Sequence, residues 1–403
     1  MSFWSRQGSM ITREGTYYLL VMTFIVVGAM IRNFQLLMVL ACMMVGPLLY
    51  NWRVVQGSLR RLKFSRKLSH SVCAGDPLLV ELRVENSGRG AVYAVVACDV
   101  IEAVDGPKIG ESCDVEVFFA RVRNGIPESS TYRARVQHRG RYRVGPLETS
   151  TAFPLGLIRN TLKIGEIDDL IVYPRIGHLT PAWRRLIQDD RSGYAASRRT
   201  HGLHEGDFYG LREWRTGDPK QWIHWRTTAK RNQLVVRQFE KQSEQDVTII
   251  VDAWVSPQPT PQEEASVERI VSIAASVVAD LSAVGGCQMY LACAGAKTKS
   301  LHGSVSQAFV HEAMTILAEV TPAPHKSIDG CLLDALRVGR TGKVVLLSSR
   351  NLELSDTNTF QEVWNDHKVR SEIGRVICLS DARDELTNLF VDGAQISGAK
   401  ESS

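Results

Sequence analysis

Two apolar stretches near the start of the chain constrain its fold more than any other feature. Thr16 to Ile31 carries no charge, and after Arg32-Asn33-Phe34 a second apolar stretch runs from Gln35 to Tyr50. Each is slightly short for a helix that crosses a hydrocarbon core of about 30 Å. Flanking polar residues and local thinning of the bilayer absorb a mismatch of that size. Tyr17 and Tyr18 open the first stretch, and Tyr50 and Trp52 close the second. A helical hairpin puts all four rings at one membrane face, where amphipathic aromatics are favoured. Arg6 and Arg13 precede the pair, Arg53, Arg60, Arg61, Lys63, Arg66 and Lys67 follow it, and Arg32 alone marks the tip. The positive-inside rule then predicts both ends and all later domains on the cytoplasmic side. The basic cluster after the hairpin is expected to meet anionic headgroups. A cleaved signal peptide fits poorly, because no small-residue cleavage site follows and a second apolar segment does.

The remaining sequence reads as globular protein. Of 403 residues, 23% are charged and 44% hydrophobic, and the net charge of +5 makes no demand for a nucleic-acid partner. The eight cysteines are scattered, with no CxxC pair and no zinc spacing, so free thiols are expected. Residues 1–52 form the N-terminal segment and hairpin, and 53–180 a β-rich, sandwich-like domain. Leu78 to Val84 alternates, Ala91 to Val100 and Val115 to Ala120 are apolar runs, and Thr131 to Gln137 alternates again. Arg139 to Leu147 is a basic, glycine-punctuated turn into a strand, read equally as a solvated edge and as a binding site. Residues 181–242 form a segment rich in tryptophan and arginine. Residues 243–393 alternate strand and helix, which predicts a doubly wound α/β sheet. Its first strand is the apolar run Val247 to Val251, followed by a one-face helical period from Val267 to Val284 that Gly285-Gly286 stops. Further strands are expected at Gln288 to Ala292, Val344 to Leu347 and Arg375 to Leu379, and helices near Val305 to Glu319 and Ile328 to Arg337. Residues 394–403 read as a frayed tail.

The sharpest local pattern lies in 181–242, which holds Trp183, Trp214, Trp222 and Trp225. Gly210-Leu211-Arg212 and Trp214 precede a Gly217-Asp218-Pro219 turn, followed by Ile223-His224-Trp225, Ala229-Lys230 and Val236-Arg237-Gln238-Phe239-Glu240. Asp218 is expected to cap a helix with Pro219 at its first position, putting Trp222 and Arg226 one turn apart. Arg212, Arg215, Arg226 and Arg237 are candidates for bidentate pairs with Glu213, Asp218 or Glu240. The pattern reads either as a structural ion-pair and tryptophan cluster or as a docking surface, since Trp and Arg anchor many interfaces. In these residues the chain resembles the bacterial domain of unknown function 58 family, with Trp214 where tyrosine is common and Gln221 where arginine is common. The resemblance implies an inner (plasma) membrane protein that works with a MoxR-type AAA+ ATPase. It supplies no reaction and no cofactor.

The α/β region looks like a von Willebrand factor A-type domain. Such domains often bind a divalent metal through Asp-x-Ser-x-Ser after the first strand, and the matching stretch here is Asp252-Ala253-Trp254-Val255-Ser256. Asp252 and Ser256 are thus the candidate metal ligands, but one carboxylate and one hydroxyl fall short of the oxygen set magnesium wants. Asp252 is otherwise expected to cap a helix or pair with an arginine of the signature. His201, His204, Asp207 and His224 lack the helical spacing of a zinc site. No phosphate loop and no nucleophile elbow is present. The sequence therefore reads as a non-enzymatic membrane adaptor. The rival readings are an enzyme, or a metal-dependent ligand binder, using a pocket near Asp252.

Overall fold

The computed structural model describes residues 8–32, 34–188, 208–215, 218, 220–239, 247–284, 287–324, 328–338, 343–357, 359–383 and 385–391. The chain divides into two compact units, Met1–Arg175 and Ile176–Ser403. The hairpin and the β-rich segment thus share one unit, and the signature segment shares the other with the α/β region.

In the first unit, β1 (Gly8–Ile11) leads into α1 (Arg13–Arg32) and α2 (Gln35–Ser58). At 20 and 24 residues, both helices outrun their uncharged cores. At 1.5 Å per residue, α1 is about 30 Å long, charged ends included. Both helices are long and apolar enough to cross a membrane. The Tyr18 hydroxyl donates to the carbonyl of Met44 at 2.8 Å, tying the two together.

Ten strands follow or flank the hairpin: β2 (Leu62–Leu68), β3 (Ser71–Cys73), β4 (Pro77–Asn86), β5 (Val92–Asp105), β6 (Ser112–Val122), β7 (Glu128–Arg135), β8 (Gly140–Val144), β9 (Leu147–Thr151), β10 (Ile158–Ile164) and β11 (Asp168–Tyr173). An eight-stranded sheet runs β1-β10-β9-β5-β8-β11-β3 with β6 beside β5, and a three-stranded sheet runs β2-β4-β7. The alternation read in the sequence sets the packing. Leu78, Val80, Leu82 and Val84 of β4 are buried in one core with Val95, Ala97 and Ile101 of β5. The Arg139–Leu147 stretch is not an edge. Its strand β8 lies between β5 and β11, Arg139 is buried, and Arg143 stands opposite Glu102 on one side and Asp169 on the other.

Two features of this unit escape a local reading. The first is β1, which pairs antiparallel with β10, Gly8 opposite Thr161 and Ile11 opposite Ile158. Around it the hairpin base is pinned to the loop before β10. The Leu155 N–H donates to Oδ1 of the buried Asn51 at 3.0 Å, and the Thr12 hydroxyl lies against the carbonyls of Gly156 and Leu157. A Cβ on Gly15 would sit 2.0 Å from the Leu157 oxygen, so only glycine permits this approach. The second feature is Arg66. It does not stand free with the basic residues around it. Its guanidinium is buried on Asp99 at 2.7 Å, reaches Asp168 at 2.7 Å, and shares Asp99 with the Tyr132 hydroxyl at 2.7 Å.

The second unit comprises β12 (His178–Leu179), α3 (Pro181–Gln188), β13 (Phe208–Glu213), α4 (Trp225–Arg231), β14 (Val235–Phe239), β15 (Val247–Asp252), α5 (Pro261–Val284), β16 (Gln288–Ala294), β17 (Lys299–Ser304), α6 (Gln307–Glu319), α7 (Ile328–Val338), β18 (Lys343–Ser348), α8 (Gln361–Asn365), α9 (His367–Arg370), β19 (Val376–Ser380) and β20 (Phe390–Val391). A mixed five-stranded sheet runs β17-β16-β15-β18-β19, parallel throughout except for the β17 edge. Every residue of β15 is buried, as a strand covered on both faces requires. Ile250, Ala292, Val344 and Leu346 form a core with α7, Phe360 and Val363.

Helix α5 begins six residues before the apolar period because of a capping box. The Glu263 N–H reaches the Thr260 hydroxyl at 3.3 Å, and the Thr260 N–H reaches the Glu263 carboxylate at 3.1 Å. Pro261 then occupies the first helical position, where its missing N–H costs nothing. Gly285, Gly286 and the 394–403 tail lie outside the described residues.

Candidate functional site

The signature forms a small module in the second unit. Strands β13 and β14 pair as a hairpin, with Leu211 opposite Arg237, Arg212 opposite Val236, and a register irregularity between Phe208 and Gly210. Ile223 is buried and bridges Val236. The His224 N–H donates to the Val235 carbonyl at 2.8 Å, and the Val235 N–H donates to the Thr228 hydroxyl at 3.1 Å. These bonds tie α4 to the hairpin.

Of the arginine pairs read from the sequence, Arg212 with Asp218 forms as a fork, at 2.7 and 2.8 Å. The Arg215 N–H adds a third bond to Asp218 at 2.8 Å. Asp218 therefore does not cap α4. That role falls to His224, whose ring nitrogen accepts from the Thr227 N–H, and Trp222 lies before α4 in a 3-10 turn at Lys220–Trp222. Asn232 closes α4 in the left-handed conformation at φ 51°. Arg215, Arg226 and Arg237 are exposed, and so is Leu211. Trp225 is 66% exposed on the first turn of α4, whereas Trp183, within α3, is buried, so these two tryptophans do not share one environment. Gly217, Pro219 and Glu240 lie outside the described residues, as do His201, His204 and Asp207.

The Arg212 fork, and then the Arg215 N–H, hold the Asp218 carboxyl below its ordinary value of 3.8. A carboxyl lowered in the folded state stabilises the hairpin fully above that ordinary value. The contribution fades as the pH falls through the lowered one. We expect a carboxyl-carbon NMR titration to find Asp218 below 3.8 in the wild type and shifted back up in Arg212→Ala. An unchanged titration would remove the fork from the account.

A second arrangement sits at the carboxyl end of the α/β sheet. The chain leaves β15 for β16 on one side and later returns to β18 on the other, so the crevice between β15 and β18 is the topological switch point, where such sheets hold ligands. Asp252 and Ser348 face each other there in register. Asp252 is fully buried and accepts from the Ser348 hydroxyl at 2.8 Å and from Nε of Arg350 at 3.1 Å. The Arg350 guanidinium stacks over the Trp254 ring, 5.1 Å from its centre. Asp252 thus pairs with an arginine, but with Arg350 rather than with one of the signature. Ser256 turns elsewhere. Its hydroxyl contacts Glu263 at 2.8 Å, and with the Thr260 N–H it holds that carboxyl below its usual range. The two candidate metal ligands are therefore engaged with different partners. Among the described residues, no group of three His, Cys, Asp or Glu side chains is arranged to hold a metal.

Beside Arg350 lies a cavity of about 660 Å³, lined by Tyr290, Ser300, Cys331, Asp334 and Glu362 among others. Burial, reinforced by Asp334, pushes the Cys331 thiol up to about 11, so it is protonated at neutral pH and a poor nucleophile. Burial also raises the Tyr290 phenol.

The chain thus combines two membrane-length helices, a two-sheet β unit, and a mixed α/β unit bearing an aromatic and basic hairpin. Residues 210–370 match the model of the family described as "Protein of unknown function DUF58", so the chain carries a DUF58 region reaching from the hairpin to α9. The uncharacterized protein YeaD of Bacillus subtilis (strain 168) is 26% identical over 140 residues, 35% of this chain and 33% of YeaD. The match thus spans about a third of that relative's length. Among solved structures, the CARDB domain of the PF1109 protein from Pyrococcus furiosus is 14% identical, covering 28% of this chain and 86% of that one at a TM-score of 0.17. A β-glucosidase from Listeria innocua is 16% identical, covering 28% and 16% at 0.19. The alkylpurine DNA glycosylase AlkC of Pseudomonas fluorescens is 11% identical, covering 28% and 30% at 0.21. TM-scores of this size carry no argument about fold or function.

Proposed function

We propose that the protein is a membrane-anchored scaffold whose soluble units lie on the cytoplasmic side. It would act with a MoxR-type AAA+ ATPase in the assembly or maturation of protein complexes. The observation that carries this reading is a contrast within the second unit. At the crevice where an α/β sheet would hold a small ligand, the buried carboxylate Asp252 is already engaged by Ser348 and Arg350. The large aromatic of the signature, Trp225, instead faces solvent. The strand order, with an antiparallel β17 at the edge, supports a doubly wound domain of the von Willebrand factor A type, a fold suited to holding partners. Both apolar helices support an inner-membrane anchor. The pairing of β1, before α1, with β10, after α2, keeps both ends of the hairpin on one side of the bilayer. The basic residues that flank the hairpin favour the cytoplasm as that side. The cavity beside Arg350 favours a second reading, a ligand binder or enzyme, but its thiol and phenol are not activated.

The test uses the full chain in nanodiscs, because truncation before Trp52 removes β1 from the sheet and Thr12 from the loop before β10. A purified MoxR-type ATPase is titrated against it with ATP and magnesium, with ADP, and without nucleotide. Wild-type protein is expected to bind in one nucleotide state. Trp225→Ala should weaken binding by at least about tenfold, as an exposed anchor does. The same change should leave the melting temperature unaltered, because little packing is lost. Absence of binding in every nucleotide state would overturn the scaffold reading.

A further inference from the structure

We infer that the β unit rests on the bilayer through an interfacial face of its own, formed by the 152–157 loop and β1, so that the hairpin is not its only contact with lipid. This rests on the membrane-anchor reading and adds to it a lipid-headgroup surface.

The bonds at the hairpin base fix the height of this face. The loop is held to Asn51 through the Leu155 N–H, and to Thr12 through the Gly156 and Leu157 carbonyls. Thr12 lies four residues before the uncharged run of α1 and Asn51 directly follows the apolar stretch of α2, two residues before Arg53, where the spans would meet the headgroup layer. The loop therefore sits at the boundary between hydrocarbon and water.

Its composition suits that layer. Phe153 and Leu155 are 42% and 47% exposed, and Met10 and Ile11 of β1 are about half exposed. Phe153 stacks on Tyr93 with ring centres 4.9 Å apart, and the Arg121 guanidinium lies 5.6 Å from the centre of the Tyr93 ring. Arg159 is exposed and stands opposite Met10 in the β1–β10 register. Aromatics and aliphatics facing lipid, with arginines reaching back to phosphates, are the residue types of a membrane interface. A groove of about 290 Å³ lined by Phe118, Phe153 and Arg159 adds a recess that joins aromatic rings and a cation. On a face turned to water, apolar side chains grouped in this way would be an aggregation liability. Continuity with the anchor names the bilayer as the occupant, ahead of a second copy or another protein.

The experiment places the photo-crosslinker p-benzoylphenylalanine at position 153 or 155 of the full chain. The protein is reconstituted in nanodiscs of phosphatidylethanolamine and phosphatidylglycerol, irradiated, and analysed by mass spectrometry for lipid adducts. Two reference positions frame the result. Phe24 is 78% exposed in the middle of α1 and reports the anchor itself. Ile109 is 66% exposed beyond the far end of β5 from Tyr93. At about 3.3 Å per residue, that places it on the order of 40 Å away along the strand. Lipid adducts at 24, 153 and 155 with none at 109 are the expected result. Adducts at 24 without adducts at 153 and 155, or protein-to-protein crosslinks in their place, would overturn the interfacial face and leave the anchor standing. No lipid adduct at 24 would overturn the anchor, and the face with it.

Discussion

Replacing Arg66 by Met should destabilise the first unit by about 3–5 kcal/mol, because Asp99 would be left charged and buried without a counterion. For a unit of this size that is a fall of roughly 6–20 °C in melting temperature. The geometry explains the size of the effect. Asp99 is fully buried, receives Nε and Nη2 of Arg66 at 2.9 and 2.7 Å, and accepts a third bond from Tyr132. Burial and the adjacent Asp99 push the Tyr132 phenol far above its ordinary value, so it remains a donor at every physiological pH. Arg66 also donates to the Val144 carbonyl at 3.1 Å, joining β2 of the small sheet to β8 of the large one. The paired change Arg66→Met with Asp99→Leu should recover much of the loss, since removing both charges leaves neither uncompensated. Thermal melts of full-length protein in detergent test this. A single variant that melts with the wild type would show that the pair contributes nothing.

The second large effect is expected in the α/β unit. Arg350→Met strips the guanidinium from Asp252 and leaves a fully buried carboxylate with the Ser348 hydroxyl. By the same reasoning the loss is about 3–5 kcal/mol, and Arg350→Met with Asp252→Leu should be milder than Arg350→Met alone. Lys is not an adequate substitute, because the planar guanidinium also stacks on Trp254. Monitoring urea unfolding of the full chain by tryptophan fluorescence would follow this unit. The metal reading makes the opposite forecast: millimolar magnesium would stabilise the wild type, and Asp252→Ala would abolish that response. A magnesium-dependent rise in stability would displace Arg350 as the partner of Asp252.

These two sites illustrate what the sequence discloses and what it hides. Elements with long periodic patterns were legible. The alternation from Leu78 to Val84 became β4, the continuous run from Val247 to Val251 became the central strand, and the period from Val267 became α5, although the structure buries every residue from Ile270 to Val278 and not one face alone. Asp252 was legible as the carboxyl end of a central strand, but its partner was not. Arg350 lies 98 positions away, and only the β15–β18 register brings the two together. Arg66 was read with its juxtamembrane neighbours because nothing nearby in the chain distinguishes it. Its carboxylates lie 33 and 102 positions further on. In the signature, the Gly217-Asp218-Pro219 turn looked like the start of a helix because Asp is a good cap and Pro a good first residue. Asp218 is instead committed to Arg212, and the helix waits for His224. The Thr260-x-x-Glu263 box was a local signal present in the sequence, and it marks the true start of α5.

The pairing of β1 with β10 also orders events during synthesis. Gly8 to Ile11 are made well before their partners Ile158 to Thr161, which leave the ribosome only after both apolar helices and most of the β unit. Strand β1 thus waits for a late partner, and closing so long a loop is the kind of non-local step that slows folding. On the proposed anchoring a membrane would help: with α1 and α2 inserted side by side, the segment before α1 would be tethered next to the start of β2 instead of diffusing freely. Insertion of the hairpin would then be a precondition for completing the sheet. A chain made without a membrane would carry β10 as an open edge, a template for aggregation.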